Sequence, residues 1–113
     1  MCDAYSFINS DVASQRYAAC TFSACGGEDI IASGCTSMGG NCNGDQFLRI
    51  VSSTGMQVAV NHGHCGSCSQ VSYKVPENNA CEIFTIAQSC YTASSCSGRV
   101  AVSGAGSGDA SAG

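Results

Sequence analysis

Gln46 to Val60 reads QFLRIVSSTGMQVAV, and its pattern decides the fold. Phe47, Arg49 and Val51 alternate with Leu48, Ile50 and Ser52, a period of two that sends successive side chains to opposite faces of a strand. Met56 to Val60 has the same strand character. Ser53-Thr54-Gly55 between the two is a three-residue hairpin signal with glycine last. Working outward, Tyr17 to Ser23 (YAACTFS) closes at Gly26–Gly27, and Glu28 to Ser33 (EDIIAS) closes at Gly34. Ser69 to Val75 (SQVSYKV) sets Val71, Tyr73 and Val75 on one face against Ser72 and Lys74, and stops at Pro76. Cys81 to Gln88 (CEIFTIAQ) and Gly98 to Ser103 (GRVAVS) are the remaining strands, while Cys35–Asp45 and Asn61–Cys68 read as loops. Only the short stretch Asp11 to Tyr17 is a helix candidate. About seven brief strands at this spacing predict an all-β antiparallel sandwich or jelly roll.

Ten cysteines in 113 residues, with fourteen glycines and no tryptophan, mark a disulfide-stapled extracellular domain. Cys2, Cys20, Cys25, Cys35, Cys42, Cys65, Cys68, Cys81, Cys90 and Cys96 are all expected in bridges. The sequence does not choose among the pairings, although the short loops Cys90–Cys96 and Cys35–Cys42 are favoured. Cys2 stands apart from the strands and can pair within the domain or with another subunit. No leader pattern precedes the chain although disulfides require export, so a mature form or a fragment is expected.

Four basic and eight acidic residues give a net charge of −4, and Arg16, Arg49, Lys74 and Arg99 are scattered singly. A nucleic-acid partner needs a basic stripe and is excluded. No apolar run approaches the ~20 residues of a helical membrane span. A surface made soluble by hydroxyls and amides, with few ions, can pack closely against copies of itself.

The strands divide the chain into an N-terminal arm (1–16), a sandwich (17–102) and a tail (103–113) rich in Gly, Ser and Ala. The tail is expected to behave as a flexible linker and is the natural place for O-linked sugar. The arm carries Tyr5, Phe7 and Ile8, apolar anchors outside the sandwich, with Tyr5 and Phe7 on one face of any extended segment.

From about Tyr17 to Val102 the chain resembles a cysteine-rich version of the bacterial pre-peptidase C-terminal (PPC) domain. The resemblance rests on Gly44-Asp45-Gln46-Phe47-Leu48-Arg49-Ile50, Ser53 to Asn61, Ser69 to Val75 and Cys81 to Ile86. It implies a secreted jelly roll working in adhesion, targeting or assembly without catalysis, with calcium bound in some members. Glu28, Asp29, Asn43, Asp45 and Asn61 form a candidate oxygen-rich calcium site, of which Asp29, Asp45 and Asn61 are the preferred ligands. The bland alternative is that Asp45 and Asn61 cap turns. Acids that members often carry after this asparagine are replaced here by His62-Gly63-His64.

Cys65-Gly66-Ser67-Cys68 lacks the βαβ context of a redox motif. With His62 and His64 it has the ligand types of a zinc site, but three ligands would crowd into one turn and other cysteines compete. No Ser–His–Asp or paired-carboxylate pattern has motif support, so a non-catalytic protein is expected and no cofactor beyond calcium is implied.

The leading expectation is a structural subunit of an extracellular filament or surface assembly. Copies would join by strand exchange, the arm of one chain completing a sheet of the next. The alternative is a module of a larger secreted protein that binds glycan or matrix, with Tyr17, Tyr73 and Tyr91 as its aromatic platform.

Overall fold

The computed structural model describes residues 2–10, 17–91, 94–104 and 111–112, the side chains of 8–10, 94 and 111–112 excepted. The strands are β1 (Tyr5–Ser10), β2 (Ala18–Ala24), β3 (Asp29–Ser33), β4 (Asn41–Asn43), β5 (Gln46–Val51) and β6 (Gln57–Asn61). They continue with β7 (Gln70–Lys74), β8 (Glu82–Cys90), β9 (Ser94–Arg99), β10 (Ala101–Ser103) and β11 (Ser111–Ala112). Every pairing among them is antiparallel. A five-stranded sheet runs β11-β2-β8-β5-β6, and two three-stranded sheets run β1-β9-β4 and β10-β3-β7. Since Val100 alone separates β9 from β10, the two small sheets share one run of chain. The protein is an all-β sandwich, as the alternation predicts.

The hairpin that decides the fold forms as read. Gly55 takes the left-handed φ of 87° that glycine tolerates best, its N–H donating to the Ser52 carbonyl at 2.9 Å. Beyond the turn, Ile50 pairs with Ala59 and Leu48 with Asn61. Leu48 and Ile50 point inward and are fully buried, whereas Phe47, Arg49 and Val51 on the other face are half-buried. The inward faces of β2 and β8 contribute Phe22 and Phe84, cross-strand partners whose rings stack at 5.6 Å. Tyr73 closes on Phe84 from β7 at 5.9 Å, and Ile30, Ala32, Val71 and Val75 complete the opposing layer. Each fully buried Val, Leu, Ile or Phe among them contributes ~1.5–3 kcal/mol through burial.

Short range and long range crosslinks staple this core. Cys90–Cys96 closes as its spacing suggests. The expected Cys35–Cys42 bridge does not form: Cys35 pairs with Cys65 and Cys42 with Cys68. The physical reason lies in the segment between them, where the single turn Thr36–Met38 leads directly into β4. Strand β4 pairs with β9, and the loop containing Cys65 and Cys68 lies within bridging distance. Cys25–Cys81 ties the end of β2 to the start of β8, and Cys2–Cys20 ties the N-terminus to β2. All ten cysteines are bonded, which places the folded chain in an oxidising environment. Among the described residues no helix is long and apolar enough to cross a membrane.

Both ends carry strands that pair with the sandwich. The arm is not separate from the sandwich in this chain, because β1 lies antiparallel to β9 and sends Tyr5 into the core. In the tail, Ser111–Ala112 pairs with Thr21 and Cys20 at the edge of β2. Most of the Asp11–Tyr17 helix candidate lies outside the described residues.

Candidate functional site

Strand β1 and the groove that holds it combine burial and polar anchoring in one place. β9 lies between β1 and β4, and the register pairs Tyr5 with Gly98, Ser6 with Ser97 and Phe7 with Cys96. An irregularity follows Phe7 before Ser10 pairs with Ser94. Tyr5 is 5% exposed; its ring centroid is 6.0 Å from that of Phe7, which packs half-buried against the core. Ile8 falls within β1, but its side chain lies outside the described residues. Ahead of β1, the Cys2 N–H donates to the Val100 carbonyl at 3.0 Å, and the Arg99 Nε–H donates to the Cys2 carbonyl at 2.8 Å.

The anchor for Tyr5 is Gln46, whose amide Nε2 donates to the phenolic oxygen at 2.8 Å. Gln46 is fully buried, and its Oε1 accepts from the Ser69 N–H at 2.8 Å. The Ser69 hydroxyl in turn donates to the Gln46 carbonyl at 2.6 Å. Gly34 permits this arrangement, since a Cβ there would occupy the space of the Gln46 amide. A satisfied buried network of this kind defines one position for the strand that enters it. The sequence reading missed Gln46, although a visible signal exists. Gln46 falls in the same inward alternation as Leu48 and Ile50, so a buried amide in need of partners follows from the period.

Burial pushes the Tyr5 hydroxyl up to about 12, partly offset by the Gln46 hydrogen bond, which favours the phenolate. The sign of the linkage follows from proton count. Above pH 10 the unfolded chain loses the Tyr5 proton while the folded chain keeps it, so stability falls as pH rises. The contribution is fully present below pH 10 and is lost by about pH 12, a decline of roughly 2–3 kcal/mol. Denaturation by urea across this range should show the decline in the parent chain. Tyr5→Phe should remove this component, and an unchanged slope in that variant contradicts the assignment.

The other candidates are dispersed. Asp29 is exposed at the start of β3, one residue past Glu28, whose N–H bonds the Cys25 carbonyl. Asp45 lies at the opposite end of the nine-residue β8, where its carbonyl accepts from the Tyr91 N–H at 2.9 Å. The Asn61 Oδ1 accepts from the Gly63 N–H at 2.6 Å, closing the local turn allowed for in the sequence reading. Asp29 is therefore not assembled with Asp45 and Asn61 into one ligand set. Among the described residues no group of three His, Cys, Asp or Glu side chains is placed to hold a metal. A zinc site built on Cys65 and Cys68 is excluded by their disulfides, which leave no thiolate to bind.

The aromatic candidates separate as well. Tyr73 belongs to the core beside Phe84, so it offers no platform. Tyr91 is 43% exposed, with the His62 ring stacked on it at 3.8 Å and Phe47 at 5.8 Å. Tyr17 is equally exposed, and the Arg49 guanidinium lies 5.2 Å from its ring. Arg49 pairs with Ala87 and Ala87 with Ala19, so the Arg49 side chain crosses β8 above Ala87, where a larger residue would obstruct it. Ala87 itself is fully buried. Comparison of the chain with family models, with curated proteins and with solved structures returns no match.

Proposed function

We propose that this chain is a structural subunit of an extracellular filament or surface assembly, and that copies join by exchanging β1. One observation carries the reading: a strand from the first ten residues supplies Tyr5 to a core whose other buried members, Cys2 apart, come from residues 20–100. Every contact of β1 with β9 and Gln46, and of Cys2 with Val100, can be made equally by the arm of another copy. Exchange therefore conserves the native interactions, and a head-to-tail contact that does not close propagates into a polymer. The low charge of the surface supports close self-association, and the PPC resemblance is compatible with a role in assembly.

Electron microscopy of the non-reduced protein tests the reading, together with a chain lacking residues 1–16. The full chain should form a linear or helical repeat. The shortened chain should remain monomeric and take up a synthetic peptide of residues 1–16 in which Ser replaces Cys2. Polymerisation of the shortened chain sinks the proposal.

A second reading is favoured by a separate observation, the exposed Tyr91–His62 stack next to Phe47. Flat aromatic surface of this kind suits the apolar face of a sugar ring, as a glycan- or matrix-binding module requires. Under this reading Tyr91→Ala should lower affinity for a bound oligosaccharide at least about tenfold, in line with the loss of more than 1.4 kcal/mol. Glycan-array binding unchanged by the substitution removes it.

A further inference from the structure

We propose that assembly moves the Cys2–Cys20 disulfide from within a chain to between chains, making the polymer covalently continuous. The inference rests on the exchange of β1 and adds the chemistry that locks it. Of the five bridges, Cys25–Cys81, Cys35–Cys65, Cys42–Cys68 and Cys90–Cys96 have both sulfurs in the body of the sandwich. Cys2–Cys20 alone has one sulfur on the β1 side of residues 11–16 and the other in β2. It is the single bond whose partners an exchange separates.

The location of Cys2 is dictated by the groove. Its N–H and carbonyl are held by Val100 and Arg99, it is fully buried, and its Cα is 5.7 Å from that of Cys20. An arm arriving from a neighbour therefore brings its own Cys2 to the Cys20 of the acceptor. Retention of the intrachain bond is incompatible with exchange, because three residues of extended chain reach only about 11 Å from Cys2 to Tyr5. The body that Tyr5 would have to leave measures 40 × 28 × 21 Å.

The exchange needs no external oxidant. A small thiolate opens the Cys2–Cys20 bond of an incoming chain and leaves a mixed disulfide on Cys2. The freed arm enters an acceptor whose own arm has been withdrawn, where the acceptor's Cys20 thiolate attacks the Cys2 sulfur and releases the small thiolate. A new interchain S–S bond forms, the old one breaks, and the incoming chain's Cys20 is left as the thiolate. One disulfide is consumed for each one made, no electrons are gained or lost, and that Cys20 thiolate is the next acceptor. Growth is thus directional, and its initiator is a chain whose Cys2–Cys20 bond the small thiolate has opened, with Cys2 carrying the mixed disulfide and Cys20 free.

Chain mixing tests this directly. Unlabelled and ¹⁵N-labelled protein are co-assembled with a catalytic amount of reduced glutathione, blocked with iodoacetamide, imaged, and run without reductant in denaturing gels before peptide mass analysis. The expected result is a ladder in steps of the 11.4 kDa chain that reductant collapses to one band. Hybrid ¹⁴N/¹⁵N pairs of the peptides holding Cys2 and Cys20 should accompany it. The double variant C2S/C20S should still polymerise by microscopy yet dissolve to monomers in detergent. Polymers of the parent chain that run as a single monomer band, with no hybrid peptides, overturn the covalent link while leaving strand exchange standing. Absence of polymer under every condition overturns both.

Discussion

Tyr5→Ala should destabilise the folded chain by about 4 kcal/mol, measured by urea denaturation with all disulfides intact. Two effects add. An almost fully buried ring is deleted, and the Gln46 Nε2 donor loses its partner in a buried site. Tyr5→Phe separates them, because it keeps the ring and leaves only the unpaired amide, for a loss of about 1–3 kcal/mol. Phe7→Ala should cost less than Tyr5→Ala, since Phe7 is half-buried and hydrogen-bonds nothing through its side chain. Within an exchanged polymer the same order should govern resistance to denaturant, because the anchors would act between copies. A loss below about 1 kcal/mol for Tyr5→Ala would show that β1 is dispensable for the core, and strand exchange through Tyr5 would lose its basis.

The second large effect is expected for removal of the Cys25–Cys81 bridge. The double variant C25A/C81A should lose about 4 kcal/mol, because a separation of 56 residues closes the longest loop of the five bridges. Cys81 is exposed and Cys25 half-buried, so little packing is lost and the loop dominates. The six-residue separation of Cys90–Cys96 predicts only about 2 kcal/mol from loop closure, but both cysteines are buried and their substitution also opens the core. Equilibrium denaturation of the two double variants, with and without reductant, measures each difference. Equal stability of C25A/C81A and the parent contradicts the loop-entropy account.

Strands β2, β3, β5, β6, β7, β8 and β10 were legible because their signals are local, whereas β9 (Ser94–Arg99) was read only from Gly98 onward. Alternation at Phe47–Val51 and Val71–Val75, and the glycine at position 55, report on a backbone conformation within a few residues. The tiny strand β4 was not legible. Asn41-Cys42-Asn43 has no strand preference, and it is extended because Arg99, Gly98 and Ser97 lie beside it as partners. Gly98 shows how close that approach is, since a Cβ there would come within 2.5 Å of the Asn41 carbonyl oxygen. The arm was legible as a set of apolar residues but not as a strand of the chain's own sandwich, because its partner β9 lies some ninety residues away. Among the side chains that seat β1, Tyr5 and Phe7 were visible as residue types, whereas Gln46, which holds Tyr5, lies forty-one positions from it.

By itself, the sequence determined an all-β sandwich, its main hairpin and an oxidising environment, and it favoured the shortest disulfide without choosing it. Each follows from composition or from contacts between near neighbours in the chain. The tertiary structure alone decided the other four bridges, whose separations run from 18 to 56 residues, and the seating of Tyr5 on a buried amide. Those outcomes depend on which strands lie side by side, and that choice is made by packing through space, which periodicity along the chain does not encode.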